Sequence, residues 1–130
     1  MVGVLAIAAA FAAAPAAADR RATKREAAAI ERVALKLCTR PDCEFRGARV
    51  STRNARYAWA DVVAEGLSGA LVKRPTARSR RFRVIGVQGG GIGLCSYWRA
   101  RAPRGLLRDL RIFGLVDPES GVTRNCGKRG

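Results

Sequence analysis

Apolar residues recur at intervals of three and four in the first part of the chain, at Ala27, Ile30, Ala34 and Leu37. This spacing is typical of an amphipathic helix that buries one face. Residues 23–26 (TKRE) have the S/T-x-x-E form of a capping box, so we expect the helix to begin there. Pro41 prevents the helix from continuing. Residues 19–22, which precede the helix, are expected to be a loose charged leader.

From residue 44 the apolar period shortens to about two, which is typical of half-buried strands. The pattern predicts four strands, at residues 44–51, 57–65, 67–73 and 80–87. Polar linkers join them, one of which contains Pro75. The order of the segments predicts a meander-like antiparallel sheet.

After the strands the pattern becomes less regular. Residues 88–93 form a glycine-rich loop, and residues 95–101 are ambiguous. A short helix is expected to begin at Pro103 and to end before Gly114. Residues 115–130 are turn-rich and are expected to be held only by Cys126. The predicted fold is α+β, with the N-terminal helix on one face of an antiparallel sheet of about four strands.

The first residues of the chain have a different composition. Residues 2–14 are an almost unbroken apolar run, shorter than the roughly 20 residues that cross a bilayer as a helix. Ala16 and Ala18 match the A-x-A pattern of a signal-peptide cleavage site, although no basic residue precedes the run. We therefore predict a secretory signal peptide at 1–18, a single secreted domain at 19–130 and no transmembrane segment after cleavage. The alternative is a buried alanine-rich helix.

The four cysteines are consistent with an exported protein. An even number of cysteines in a small secreted domain favours disulfides over thiols. Of the three connectivities that four cysteines allow, we favour Cys38 with Cys43, across a proline-containing turn, and Cys95 with Cys126. The chain has no histidine and no C-x-x-C pair. No metal or cofactor site is expected.

The charge balance is strongly basic, with 25 Lys and Arg against 10 Asp and Glu and a net charge of +15. Such an excess favours binding to polyanions, such as nucleic acid, anionic lipid surfaces or anionic wall polymers. The alternative is that the excess of arginine reflects codon bias. A GC-rich genome favours arginine codons, and the side chains then spread over solvated faces without a common ligand.

The densest group of basic and aromatic residues is the candidate polyanion site. Guanidinium groups bind phosphates through paired hydrogen bonds, and aromatic rings can stack on exposed bases. On a strand, Arg81 and Arg83 would face one side and Phe82 and Val84 the other. The alternative is a solvated sheet face with Trp98 covering the edge of the core. The candidate residues are Arg78, Arg80, Arg81, Arg83, Tyr97, Trp98, Arg99, Arg101 and Arg104.

An enzyme is not expected, because the chain lacks histidine as a general base and has no S-x-x-K arrangement. The predicted function is therefore a non-enzymatic binding module for an extracellular polyanion or an anionic cell-envelope surface. The alternative is a protein-binding module, such as an inhibitor of an extracellular enzyme, with Ile92, Tyr97 and Trp98 as apolar anchors. A third hypothesis is an enzyme with a carboxylate site.

A family resemblance rests on the order of several short motifs. The first helix is followed by RVST at 49–52, Trp59, Cys95, LLRDL at 106–110 and Cys126. This order resembles small uncharacterised secreted, disulfide-containing proteins of GC-rich Gram-positive bacteria, and the order of helix and sheet is similar to cystatin-like folds. The resemblance implies export, fold and disulfides but no chemistry. The chain lacks the Q-x-V-x-G loop that carries protease inhibition in cystatins.

Overall fold

The computed structural model describes residues 18–128, so residues 1–17 of the predicted signal peptide lie outside the described part. The helices are α1 (Lys24–Ala34), α2 (Cys95–Arg99) and α3 (Arg104–Asp109), and a 3-10 turn at Leu35–Leu37 follows α1. The strands are β1 (Asp19–Arg21), β2 (Glu44–Ser51), β3 (Tyr57–Val63), β4 (Leu67–Lys73), β5 (Arg83–Gly89), β6 (Phe113–Leu115) and β7 (Thr123–Asn125). The α+β class is therefore as predicted, and residues 95–101, which the sequence left ambiguous, contain α2.

The main sheet has five antiparallel strands in the order β1-β2-β3-β4-β5. Strands β2 and β4 have the predicted bounds, whereas β5 begins at Arg83 rather than at residue 80. We expected about four strands preceded by a loose leader, but part of that leader forms a fifth strand, β1, at one edge of the sheet. Residues 19–21 pair with β2, with Arg20 opposite Val50. This pairing uses backbone groups that the outer edge of β2 would otherwise leave unpaired.

Helix α1 begins as predicted, because Thr23 and Glu26 form both halves of the capping box. Its apolar stripe packs on one face of the sheet, where Ile30 and Ala34 are fully buried. They share this core with apolar side chains of four strands, including Val50, Ala58, Val62, Val72 and Val84. The predicted contact between the first helix and the sheet is therefore confirmed.

The opposite face of the sheet carries a second core, which the sequence pattern did not reveal. Trp59 and Leu71 of the sheet are buried there against Trp98, Leu107 and Leu110 of the C-terminal part. The two tryptophan rings meet edge to face, with centroids 5.4 Å apart. The sheet is thus covered on both faces along part of its length.

The last segment is more ordered than expected. Residues 115–130 were predicted to be held only by Cys126, but β7 pairs with β6 and the Cys126 N–H donates to the Ile112 carbonyl at 2.8 Å. Strand pairing therefore adds to the disulfide in fixing this segment.

Both predicted disulfides are present. Cys38 and Cys43 are bonded with their Cα atoms 5.6 Å apart, and Cys95 and Cys126 with theirs 5.1 Å apart. The first closes the short loop after α1, and the second joins α2 to the end of β7. The favoured connectivity is therefore confirmed.

Across residues 18–128, the structure has no helix of the length and apolar character that crossing a membrane requires.

Candidate polyanion-binding site

A basic groove lies at the end of the sheet where β4 ends and β5 begins. It has a volume of about 310 Å³ and contains two of the predicted residues, Arg81 and Arg83. The whole lining consists of Arg56, Lys73, Arg74, Pro75, Arg81 and Arg83. We call this depression the first groove.

Strand register brings the cations of the first groove together. Tyr57, Lys73 and Arg83 are consecutive cross-strand partners on β3, β4 and β5. Directly opposed like charges such as Lys73 and Arg83 destabilise a sheet. The Lys73 ammonium lies 5.2 Å from the centroid of the Tyr57 ring, which offsets part of this cost. The register therefore concentrates positive charge at one end of three neighbouring strands.

Arg74 forms the floor of the first groove and is 3 % exposed. Its guanidinium donates to the Ala55 carbonyl at 2.8 Å, the Ser79 carbonyl at 3.2 Å and the Glu26 carboxylate at 2.6 Å. These bonds tie the turn before β3, the β4–β5 connection and the start of α1 to one another. Arg74 is therefore a structural residue whose charge is already matched.

Glu26 neutralises Arg74 and is itself held in the charged state. The hydrogen bond from Arg20 lowers the pKa of Glu26 to about 2, and bonds from the Thr23 N–H and from Arg74 act in the same direction. Partial burial opposes them. One carboxylate thus serves two arginines, at 2.6 Å each.

The remaining cations of the first groove lack acidic partners. In the part of the chain that the structure describes, no carboxylate forms an ion pair with Arg56, Lys73, Arg81 or Arg83. Arg81 and Arg83 are exposed, whereas Phe82 and Val84 pack in the α1 core, as the alternation predicted. Arginine side chains free of carboxylates are suited to bind phosphate or sulfate through paired hydrogen bonds.

A second groove, which Arg74 also lines, has a volume of about 290 Å³. The predicted residues Arg78 and Arg80 line it, together with Arg25 of α1. Between residues 18 and 128, none of these three has a carboxylate in ion-pair contact. Its full lining is Arg20, Thr23, Arg25, Glu26, Arg74, Ala77, Arg78, Ser79, Arg80 and Phe82.

The two aromatic residues of the predicted site, Tyr97 and Trp98, are engaged in packing. Trp98 is 1 % exposed, so its ring cannot stack on a ligand base. The hydroxyl of Tyr97 accepts a hydrogen bond from the Val87 N–H at 2.8 Å, and the Arg101 guanidinium lies 3.5 Å from the centroid of the same ring. Both side chains serve the packing of α2 against β5. The Trp98 ring lies inside the second core rather than at a core edge.

The other predicted cations lie elsewhere. Arg99 donates to the Cys126 carbonyl at 3.1 Å, and Arg101 covers Tyr97. Arg104 lies in a separate depression with Arg108 and Lys128. The structure therefore divides the predicted cluster and places only Arg78, Arg80, Arg81 and Arg83 beside the two grooves.

The sequence prediction also missed residues. Arg56 and Lys73 lie in the first groove but are separated along the chain from the predicted residues Arg81 and Arg83. A signal was present, because pairing of strands 67–73 and 80–87 as a hairpin places Lys73 opposite the beginning of β5. Placing Arg56 in the groove would have required the register of a third strand, β3.

The anchors of the protein-binding alternative differ in exposure. Ile92 is 48 % exposed, but Trp98 is buried and Tyr97 is half-buried. Among the described residues, no three His, Cys, Asp or Glu side chains form a group that could hold a metal ion.

No protein-family model, curated protein or solved structure matches this chain. What the structure defines is a disulfide-linked α+β domain with two adjoining basic grooves at one end of its sheet. The resemblances to bacterial secreted proteins and to cystatin-like folds stay predictions.

Proposed function

We propose that this protein is a secreted, non-enzymatic domain that binds an extracellular polyanion or an anionic cell-envelope surface through the first groove. The observation that carries the proposal is the set of four cations without acidic partners, Arg56, Lys73, Arg81 and Arg83. They project from the ends of three neighbouring strands.

The arrangement of these charges favours an anionic ligand. Like charges held on neighbouring strands repel one another, and a bound polyanion would relieve that repulsion while releasing its own counterions. Arginine supplies paired donors in a planar fork, and lysine supplies a compact point charge. Arg74 keeps the floor of the groove rigid through its bonds to Ala55, Ser79 and Glu26.

An extracellular location is supported by the disulfides and by the signal-like leader. Disulfides persist mainly in oxidising compartments, and the described structure has two of them, Cys38–Cys43 and Cys95–Cys126. Residues 1–17 of the leader lie outside the described residues, so this part of the proposal rests on the sequence pattern.

The protein-binding alternative has less support. Of its three anchors, Ile92 presents an exposed apolar side chain, and Tyr97 and Trp98 are used in packing. Salt separates the two hypotheses, since an ionic contact weakens as salt rises and an apolar contact does not.

The test is retention of oxidised residues 19–130 on immobilised nucleic acid or wall polymer across a salt gradient, beside a sulfopropyl matrix as a charge control. The groove variant is R81A/R83A, and the matched control is R32A/K36A. Arg32 and Lys36 are exposed, lie on α1 and the turn after it, and line neither groove. Both double variants remove the same charge.

We expect wild type to elute from the polymer at higher salt than from sulfopropyl, and R81A/R83A to lose more retention than R32A/K36A. The slope of log affinity against log salt should fall by roughly 0.7 to 0.9 for each phosphate-binding side chain that is removed. Equal losses for the two variants would mean that the charge acts as a whole and that the first groove is not a site.

A further inference from the structure

We infer that the two grooves form one track, along which a linear phosphodiester polymer binds through its phosphates without stacking of bases. This inference rests on the proposed function and adds to it the extent of the site and the chemical class of the ligand.

The two grooves share one lining residue. Arg74 lines both of them, so they adjoin at its side chain. The chain crosses between them at Arg80 and Arg81, which are consecutive residues in different grooves. The Arg81 N–H donates to the Ser79 hydroxyl at 3.1 Å, which fixes the backbone at the crossing.

Positive charge extends along the whole track. Seven basic side chains line the grooves without an ion pair to any carboxylate of the described chain. They are Arg25, Arg56, Lys73, Arg78, Arg80, Arg81 and Arg83. Glu26 is the acid at the junction, and its charge is matched by Arg20 and Arg74. Cations on both sides of the junction suit a ligand with charges repeated along its length.

The aromatic rings beside the track are covered. Phe82 lines the second groove but is 5 % exposed, and the Arg74 guanidinium lies 4.7 Å from its ring centroid. Tyr57, the cross-strand partner of Lys73, is 6 % exposed and is covered by the Lys73 ammonium. Neither ring offers a face on which a base could stack.

Stacking on an exposed ring strengthens single-strand binding by roughly 5- to 140-fold for each base. The half-exposed Phe113 ring belongs to β6 and lines neither groove. The track therefore has the cations of a single-strand binding surface without its stacking platforms. A polymer whose repeating unit is a phosphodiester, with or without bases, meets its requirements equally.

The test compares two single strands of the same length, about twelve residues, one of deoxythymidine and one of abasic deoxyribose phosphate. Binding to oxidised residues 19–130 is measured by fluorescence anisotropy at several salt concentrations. The variants are R78A/R80A for the second groove, R81A/R83A for the first and R32A/K36A as control. All six replaced side chains are exposed, so the substitutions should leave the fold intact. Circular dichroism checks that each variant is folded.

We expect the two strands to bind within about threefold of each other. Both R78A/R80A and R81A/R83A should weaken binding and lower the salt slope more than R32A/K36A does, because both grooves contact phosphates. For strands of about three residues, which cover one groove at a time, each groove variant should have a smaller effect.

Two results would overturn the inference and leave the proposed function intact. One is deoxythymidine binding at least about tenfold tighter than the abasic strand, which would require stacking. The other is that R81A/R83A weakens binding whereas R78A/R80A does not, which would confine the site to the first groove. If R81A/R83A weakens binding of either strand no more than R32A/K36A does, the proposed function fails as well.

Discussion

Replacing Glu26 with Gln is expected to destabilise the fold in a way that depends on pH. The Glu26 carboxylate accepts from Arg20, from the buried Arg74 and from the Thr23 N–H that begins α1. Gln keeps the shape and one acceptor oxygen but removes the charge. Both carboxylate oxygens of Glu26 accept hydrogen bonds, so the substitution also replaces one acceptor with a donor, and only the pH-dependent part of the loss reports the charge.

The magnitude follows from the pKa of Glu26, which falls from the ordinary 4.5 to about 2. A difference of that size corresponds to about 3 kcal/mol of stability at neutral pH. Arg20 is 39 % exposed, so solvent screens its share of the interaction. We therefore expect E26Q to lose about 2 to 3 kcal/mol of unfolding free energy near pH 7.

The sign of the pH dependence is fixed by the direction of the pKa change. Because the folded-state pKa lies below the unfolded one, the contribution of Glu26 is present above about pH 4.5 and is lost as pH falls towards 2. The difference between wild type and E26Q should therefore shrink over that interval. Urea denaturation followed by far-UV circular dichroism, at a series of pH values from neutral downwards, measures it.

The control variant is E31Q, on the same helix. Glu31 is exposed and forms no ion pair with another described residue. Its substitution should change stability by less than about 0.5 kcal/mol at any pH. Equal stability of E26Q and E31Q at neutral pH, or a deficit of E26Q that stays constant down to pH 2, would refute the ionic role of Glu26.

Two further predictions concern the second core. Replacing both Cys95 and Cys126 with Ser removes a disulfide that spans 31 residues. The free energy of unfolding should fall by about 3 to 4 kcal/mol, measured as a lower urea midpoint. A loss below about 1 kcal/mol would contradict this prediction. In G86V the new Cβ would lie 2.6 Å from Cζ3 of Trp98, and overpacking should cost about 1 to 3 kcal/mol and alter tryptophan fluorescence. G91A, where the Cβ would meet open space, serves as the control, and equal stability of the two variants would argue against close packing at Trp98.

Local patterns in the sequence predicted the elements that local interactions define. The capping box at Thr23 and Glu26 and the bounds of β2 and β4 each depend on residues close together in the chain. The Cys38–Cys43 disulfide is of the same kind, because a short turn brings its two residues together. These features need no knowledge of tertiary contacts.

Features that depend on tertiary contacts were missed. Residues 19–21 read as a polar leader, because their role in the sheet comes from backbone pairing with β2 and not from apolar side chains. Trp98 lies in a basic stretch of sequence, which suggested a binding surface, yet it fits against Gly86 in a core formed by distant segments. The arginines next to Trp98 in the sequence therefore did not indicate where the Trp98 ring packs.

The placement of the acids bears on whether the basic charge is merely compositional. Three carboxylates, each largely buried, serve two arginines apiece: Glu26 with Arg20 and Arg74, Asp19 with Arg49 and Arg111, and Asp109 with Arg53 and Arg108. These three acids, of the ten in the chain, therefore lie where they join separate segments of the fold.

A compositional bias accounts for the number of arginines but not for their positions. Strand register sets Lys73 opposite Arg83, where mutual repulsion works against folding. The exposed pair Arg32 and Lys36 has no such constraint, since both lie on or just after α1, away from the grooves. Removing Arg32 and Lys36 changes the net charge as much as removing Arg81 and Arg83. A difference in polyanion affinity between R81A/R83A and R32A/K36A must therefore come from position.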